Sequence, residues 1–591
     1  MARASFGTDH AHRAGAKGQR STFAPAPQRS AAQLPSGLWF LLVMNSIRRL
    51  LVTLSFVAVA VCLAAPLAAA STTQESVVED DVSLHANMIG TLATLERLGV
   101  TRVKVDVEWA SIAPAPNSFH EPKKFDATNP AAYPAANWAY YDKLVKQAQA
   151  DGLQVGFMLT GPGPLWATGP GMPPPTPGGC PCGWWKPSSN DFQAFARAVG
   201  ERYDGTYKPK GVSVPLPRVS WWSIWNEPNY GTNLAPQAID DDTIEVGAVE
   251  YRGLLNAAWK GLAASGHSPH SDTILIGETA PRGVNHPIGN FSGVKPLRFL
   301  RALYCVSSSY QELRGAAAAA RDCPTTAAGS RGFRAANPAL FQASGFADHP
   351  YEQGVAPDQP TFACGLILCW NPYTLQSDPD YADFPEIPRL ERTLDRLNAV
   401  YGSHTQFPIW NTEYGWWTNP PDPRSGSLPP TTVAYYMNWA EYMSYNEPRL
   451  DSYDQYLLLD PANGKFASGL EVANGKHLAT FDAFEVPLYM PTTKAGQPSS
   501  LVVWGGARPA PSAADALSHP LSANGLADQV EIQFQPGSRG RFSTVQTVTI
   551  TNPRGYFEVR QAFMRSGSVR LAWSSAPGAT VYSRTVTLSI G

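Results

Sequence analysis

Two carboxylates stand out by their neighbours: Glu227 in Trp225-Asn226-Glu227-Pro228-Asn229, and Glu413 in Trp410-Asn411-Thr412-Glu413-Tyr414-Gly415. Each follows a short apolar run, and a glutamate so placed can give up a proton or attack as an anion, depending on its surroundings. Breaking a glycosidic bond through an oxocarbenium-like transition state calls for both acts. One carboxyl protonates the leaving oxygen and a second works on the other face of the sugar. Taken singly, each Glu is an ordinary solvated or ion-paired side chain at a strand end; the pair acquires meaning only if the fold brings the two together.

The elements that could do so are readable. Between residues 75 and 485 short β-branched runs alternate with helical patterns, the signature of βα units around a parallel sheet. Strands are predicted near 75 to 80, 102 to 107, 154 to 160, 219 to 225, 273 to 277, 345 to 349, 407 to 412 and 452 to 458. Helices are predicted between them, for instance over 89 to 98, with Ile89, Leu92, Leu95 and Leu98 on one face, and over 390 to 401. This is a (β/α)8 TIM barrel, spanning 71–490 as the catalytic domain, with Glu227 after the fourth strand and Glu413 after the seventh. Catalytic side chains of such barrels sit at the C-terminal strand ends, so the long Pro/Gly-rich segments 161 to 187 and 350 to 388 are expected to shape a cleft. Residues 498–591 read as a small all-β sandwich, either a carbohydrate-binding module or a cover for apolar barrel surface. Trp573 and Tyr556 are too few to mark a sugar platform, which favours the cover.

The two Glu motifs resemble the catalytic signature of glycoside hydrolase clan A, which includes the family 5 cellulases and mannanases and the family 39 and 51 glycosidases. The resemblance covers roughly residues 75 to 485. It implies Glu227 as acid/base, Asn226 as a ligand of the sugar 2-hydroxyl, and Glu413 as nucleophile. A third match, His349-Pro350-Tyr351 after the sixth strand, implies that His349 and Tyr351 flank the nucleophile, with Tyr351 bonded to Glu413. The sequence departs from family 5 in carrying Lys104 where an Arg is usual, in lacking a His at the end of strand three and in lacking a Trp at the end of strand eight. Lys offers a point charge where Arg offers a planar fork. Substrate contacts are expected from Lys104, Trp109 and Trp416, and some of Trp166, Trp184, Trp185 and Trp417 are placed to stack sugar rings. Asp106 and Glu108 either touch substrate or pair with Lys104. An acid needs its pKa lifted above about 4.3, for which Trp222, Trp225 and Glu413 surround Glu227; Glu413 should stay ionised with Tyr351 or Asn226 as donors.

A formal charge of -2 provides no field for nucleic acid, and a neutral carbohydrate is the expected partner of a monomer. Glycine-rich phosphate loops, paired metal-binding His and a Ser nucleophile elbow are lacking, so no cofactor or metal is implied. Residues 1–43 read as disordered or as an over-extended start. Residues 44–70 combine a basic start, an apolar run and Ala68-Ala69-Ala70, the order of a secretory signal peptide; an uncleaved membrane anchor facing outward is the alternative. Export fits the six cysteines that remain after Cys62 leaves with the signal, with pairings Cys180–Cys182, Cys305–Cys323 and Cys364–Cys369 expected because each pair shares a loop-like segment.

Overall fold

A computed structural model of the chain describes residues 72–174, 182–239, 244–284, 286–287, 289–352, 354–359, 378–496, 499–508, 529–576 and 578–591. Eight parallel strands close into a barrel in sequential order. They are β1 (Glu75–Glu79), β2 (Arg102–Glu108), β3 (Gln154–Thr160), β4 (Trp221–Ile224), β5 (Thr273–Thr279), β6 (Gly345–Asp348), β7 (Ile409–Asn411) and β8 (Leu450–Tyr456). Each expected strand is present within a few residues of its predicted ends, and the closed barrel with a following all-β region is the architecture expected.

Strand alternation explains what faces where. In β2, Val103, Val105 and Val107 join the outer core against the helices, while Arg102, Lys104 and Asp106 point the other way. The floor of the barrel is a layer of Trp221, Leu275, Ala347 and Trp410. Gly156 and Gly345 make room for the two indoles, since a Cβ at either would come within 3.0 Å of a ring. Above that floor the interior turns polar, with Glu79, Lys104, Ser223, Glu278 and Asp454 all buried.

The helices use ordinary signals. Helix α1 (Asp81–Arg97) is capped by Asp80, whose carboxylate accepts from the Ser83 backbone N–H at 2.9 Å. It starts well before the predicted residue 89, and a break at Asn87 turns Ile89 outward to 54 % exposure, whereas Leu92, Leu95 and Leu98 are fully buried as their spacing requires. Helix α2 (Ile387–Val400) buries Ile387, Leu390, Leu394 and Leu397 on one stripe.

The C-terminal region packs a three-stranded sheet containing Ser499–Gly506 and Tyr556–Phe563 on a six-stranded sheet containing Gln529–Pro536 and Gly567–Ala576. One apolar core lies between them, and Trp573 belongs to it. Tyr556 is 2 % exposed and donates its hydroxyl to Glu441 at 2.6 Å, on the helix Pro430–Tyr445 of the barrel. Trp504 packs on Tyr442 and Tyr445 of the same helix. Both rings are thus buried, Trp573 between the two sheets and Tyr556 against the barrel helix.

Cys305 and Cys323 are joined across a sequence separation of 18; Cys180 and the Cys364–Cys369 pair lie outside the described residues, as do residues 1–43 and the segment 44–70. Among the described residues no helix is long and apolar enough to cross a membrane. Closing a loop of this size removes denatured-chain entropy worth about 3 kcal/mol. Cys305→Ala with Cys323→Ala is accordingly expected to lower unfolding stability by roughly that amount, measured by denaturant titration; an unchanged midpoint would show that the bridge constrains nothing.

Candidate active site

The backbone turns sharply where β4 ends. Trp225 and Glu227 both adopt the left-handed region, at φ 67° and 40°, a conformation that non-glycine residues hold only when neighbours enforce it. The enforcing contacts are visible: Asn226 N–H donates to Thr160 Oγ1 at 3.1 Å, Glu227 N–H to the Glu278 carbonyl at 2.9 Å, and Trp225 Nε1–H to the Asn233 carbonyl at 2.8 Å. Buried Asn229 ties the same turn to the next loop through Ala280 and Val294. Glu227 thereby projects over the barrel mouth, with 19 % of its side chain exposed.

Glu413 arrives from the opposite side, following β7. Its Oε1 accepts the Tyr351 hydroxyl at 2.9 Å, and its Oε2 lies 3.1 Å from His349 Nδ1. The same Nδ1 is 3.3 Å from Glu227 Oε1. His349 thus bridges both carboxylates. Those two oxygens can be no farther apart than the two distances laid end to end, about 6.4 Å. On the other side of the ring, Nε2 meets Glu278 Oε2 at 2.7 Å. The sequence motifs at 226–227, 349–351 and 413 are therefore brought into one constellation.

Beneath it runs a buried charge network that sequence reasoning did not single out. Glu278 Oε2 also takes the Thr412 hydroxyl at 2.7 Å and the Lys104 ammonium at 3.2 Å, and Lys104 reaches Glu79 at 2.9 Å. Burial disfavours each charge, yet Lys104 and His349 outweigh it for Glu278, whose carboxyl is held well below the usual range. For His349 burial is likewise outweighed, by Glu413, Glu227 and Glu278, so the ring is held far above the ordinary imidazole range. Glu413 goes the other way. Burial pushes it up to about 7, helped by Glu79 and Glu227 and opposed by His349 and Lys104. The donor expected from Tyr351 is present, and burial lifts the carboxyl in spite of it.

Other expectations are corrected by burial. Lys104 is fully buried and spends its charge on Glu278 and Glu79, so it reaches neither a sugar nor Asp106 as its ion-pair partner. Trp109 is fully buried among Trp166, Phe192 and Phe195, because its short helix turns the ring into the outer core. Trp416 is 2 % exposed, donating Nε1–H to the Val355 carbonyl. Trp222 faces the helices on the outer side of β4 and so does not line the Glu227 pocket. Trp185 is buried too, whereas Trp166, Trp184 and Trp417 keep partial exposure. Where a Trp was missing after strand eight, Phe466 packs on Tyr351 and Tyr456 at ring distances of 5.7 and 5.4 Å. The Asn226 side-chain oxygen is buried without a hydrogen-bond partner among the described residues.

Among the described residues, carboxylate oxygens of Glu79, Asp81 and Asp106 come within 4.8 Å of one another. Burial and the charge on Glu79 push Asp81 and Asp106 well above the usual range. Lys104 supplies Glu79 of this grouping with a positive partner at 2.9 Å.

No protein-family model and no curated protein matches this chain. Solved structures with similar architecture include a family 39 glycoside hydrolase from Bacteroides cellulosilyticus WH2, at 12 % identity over 84 % of this chain and 82 % of that one, TM-score 0.40. A family 51 α-L-arabinofuranosidase from Bifidobacterium longum is similar at 12 % identity over 88 % and 95 %, TM-score 0.39. A family 30 endoxylanase from Clostridium papyrosolvens C71 is similar at 11 % identity over 83 % and 95 %, TM-score 0.38. At these values the likeness bears no weight; what describes this chain is its own closed barrel and the ring of carboxylates at its mouth.

Proposed function

We propose that the chain is an exported glycoside hydrolase that cleaves O-glycosidic bonds of an oligo- or polysaccharide with net retention. The observation that carries this is the shared His349 nitrogen. An inverting enzyme keeps its carboxyls about 6.5 to 9.5 Å apart to admit a water, and a retaining one about 5 to 5.5 Å. The bound of about 6.4 Å on the two oxygens that share Nδ1 supports the closer, retaining arrangement. In this reading Glu227, the more exposed of the two, protonates the departing oxygen while Glu413 attacks the anomeric carbon and forms a glycosyl ester. Glu227, now an anion, takes a proton from water as the water attacks the same carbon and Glu413 leaves. Both start and end states are regained with one bond cleaved and one water consumed.

Export is supported by the basic-apolar-small order of residues 44–70 and by the Cys305–Cys323 bridge, which persists in oxidising compartments. The test is a panel of aryl glycosides and plant or microbial polysaccharides followed by proton NMR of the first-formed sugar. The product is expected in the anomeric form of the substrate. A first product of opposite form would exclude double displacement.

The Tyr351 contact gives a graded check. A hydrogen bond to a charged group contributes about 1.5–3 kcal/mol, so Tyr351→Phe is expected to lower kcat/KM by about 10- to 100-fold while leaving the fold intact. Steady-state kinetics beside a thermal melt would measure it; an unchanged rate would mean that the Tyr351 hydroxyl does not act on the nucleophile.

A further inference from the structure

We propose that Glu278, on β5, is a positioning residue that holds His349 doubly protonated and turns its Nδ1–H onto the Glu227–Glu413 pair. The inference rests on the glycosidase reading of that pair for its kinetic consequences, though not for the geometry. A neutral imidazole donates from one nitrogen and accepts at the other. Around His349 both nitrogens face carboxylates, Nε2 toward Glu278 at 2.7 Å and Nδ1 toward Glu413 and Glu227 at 3.1 and 3.3 Å. Glu278 already accepts from Lys104 and Thr412 and can only accept from Nε2–H, and Nδ1 must donate as well whenever either Glu413 or Glu227 is ionised, as the glycosidase reading requires, so the ring is then a cation. His349 is wholly buried, which makes such a cation tolerable only beside a fixed anion.

Glu278 is built to be that anion. Lys104 and Thr412 both donate to the oxygen that His349 uses, which fixes the carboxylate independently of the ring. The backbone around it is shaped for the purpose. Glu278 itself has φ 48°, the β5–β6 register shifts between Gly277 and Thr279, and Gly277 sits at φ 115° where a Cβ would come within 2.3 Å of the Ala347 carbonyl. This irregularity aims the carboxylate at His349, and the Glu278 carbonyl holds the Glu227 backbone N–H. One residue therefore places the acid/base from its main chain and the bridging ring from its side chain. The other charges that act with the ring are Glu413 from β7, Lys104 from β2, Asp454 from β8 and Asp348 beside it on β6. Among the described residues Glu278 is the charged group paired with Nε2.

The test reads the ring directly. With nitrogen-15 labelled histidine in the full chain, and His349→Gln used to assign the signal, both ring nitrogens of His349 are expected to be protonated throughout pH 5 to 8. In Glu278→Gln, which keeps size but removes charge, the ring is expected to lose a proton within that range. The acid limb of kcat/KM should then move upward by about one pH unit or more, as removal of a facing cation raises a carboxyl by about 1–3 units. Glu278→Asp should restore the wild-type ring state at least in part. A neutral His349 in the wild type at pH 8 overturns the proposal without any variant, which matters if Glu278→Gln folds poorly. It is equally overturned if the ring stays doubly protonated in a folded Glu278→Gln, or if kcat falls uniformly with no movement of the pH limb. A wild type that shows the doubly protonated ring, lost in Glu278→Gln, yet cleaves no glycoside would sink the functional reading and leave the role of Glu278 in holding the ring standing.

Discussion

Glu413→Ala and Glu227→Ala are both expected to remove most of the hydrolysis, by different routes that can be told apart. Loss of the nucleophile removes the covalent step itself, for which falls of about 10⁴- to 10⁶-fold in kcat are usual when a member of such a unit is deleted. Loss of the acid costs about 10²- to 10⁴-fold, and the size depends on the leaving group. A nitrophenolate leaves without help, so with such substrates Glu227→Ala should still form the glycosyl ester on Glu413 and stall there, giving a burst and then a slow steady state. Alkyl and sugar leaving groups need the proton and should show the full loss. Azide discriminates further: it can attack the trapped ester in Glu227→Ala to give a sugar azide of retained form, or enter the cavity left by Glu413 and attack directly to give the opposite form. Wild-type rates in either variant would remove that residue from the chemistry. Azide products of the same form from both would reverse or dissolve the assignment of roles.

The parts of this site that were legible in the sequence share one property, that their signal is local. An apolar run ending in Asn-Glu, or in Thr-Glu-Tyr-Gly, marks a strand end that carries a carboxylate, and eight such runs separated by helical patterns imply closure into a barrel. Glu278 had the same local signal, since Thr273–Thr279 is an apolar strand ending in Gly-Glu-Thr. Its importance comes instead from partners at residues 104, 349 and 412, on or just past three other strands. Proximity across a barrel has no trace in linear spacing. The tryptophans failed for a related reason. In the four-residue β4, Trp221 and Trp222 point to opposite faces, and nothing in Trp-Trp-Ser-Ile says which is inward. In β2 the alternation Arg-Val-Lys-Val-Asp-Val did declare its faces, and read with period two it already announced a polar barrel interior.

That polar interior leads to an expectation about stability. Glu413→Gln should disable the enzyme and, above neutral pH, make it more stable. The folded carboxyl is lifted from its ordinary value of 4.5 to about 7, with burial the foremost cause. Between those values the folded chain keeps a proton that the unfolded chain has released, so the unfolded state gains ground as the pH rises. Below the lower value the effect vanishes, and above the upper value it is complete. A shift of this size, at about 1.4 kcal/mol per unit, amounts to about 3 kcal/mol. Glutamine has nearly the same shape, can still accept from Tyr351, and cannot ionise. Relative to the wild type it should therefore be no better at pH 4 and more stable by about 3 kcal/mol at pH 8, seen as a denaturant midpoint that separates from the wild type only as the pH rises. Part of that gain is offset because His349 loses one of its facing anions, but Glu227 and Glu278 still hold the ring. If the two proteins track each other at every pH, the buried carboxylate is ionised without penalty, and the network of Lys104, His349 and Tyr351 compensates its desolvation in full. If they diverge in the stated direction, the chain carries at Glu413 a stability penalty that only its chemistry can explain.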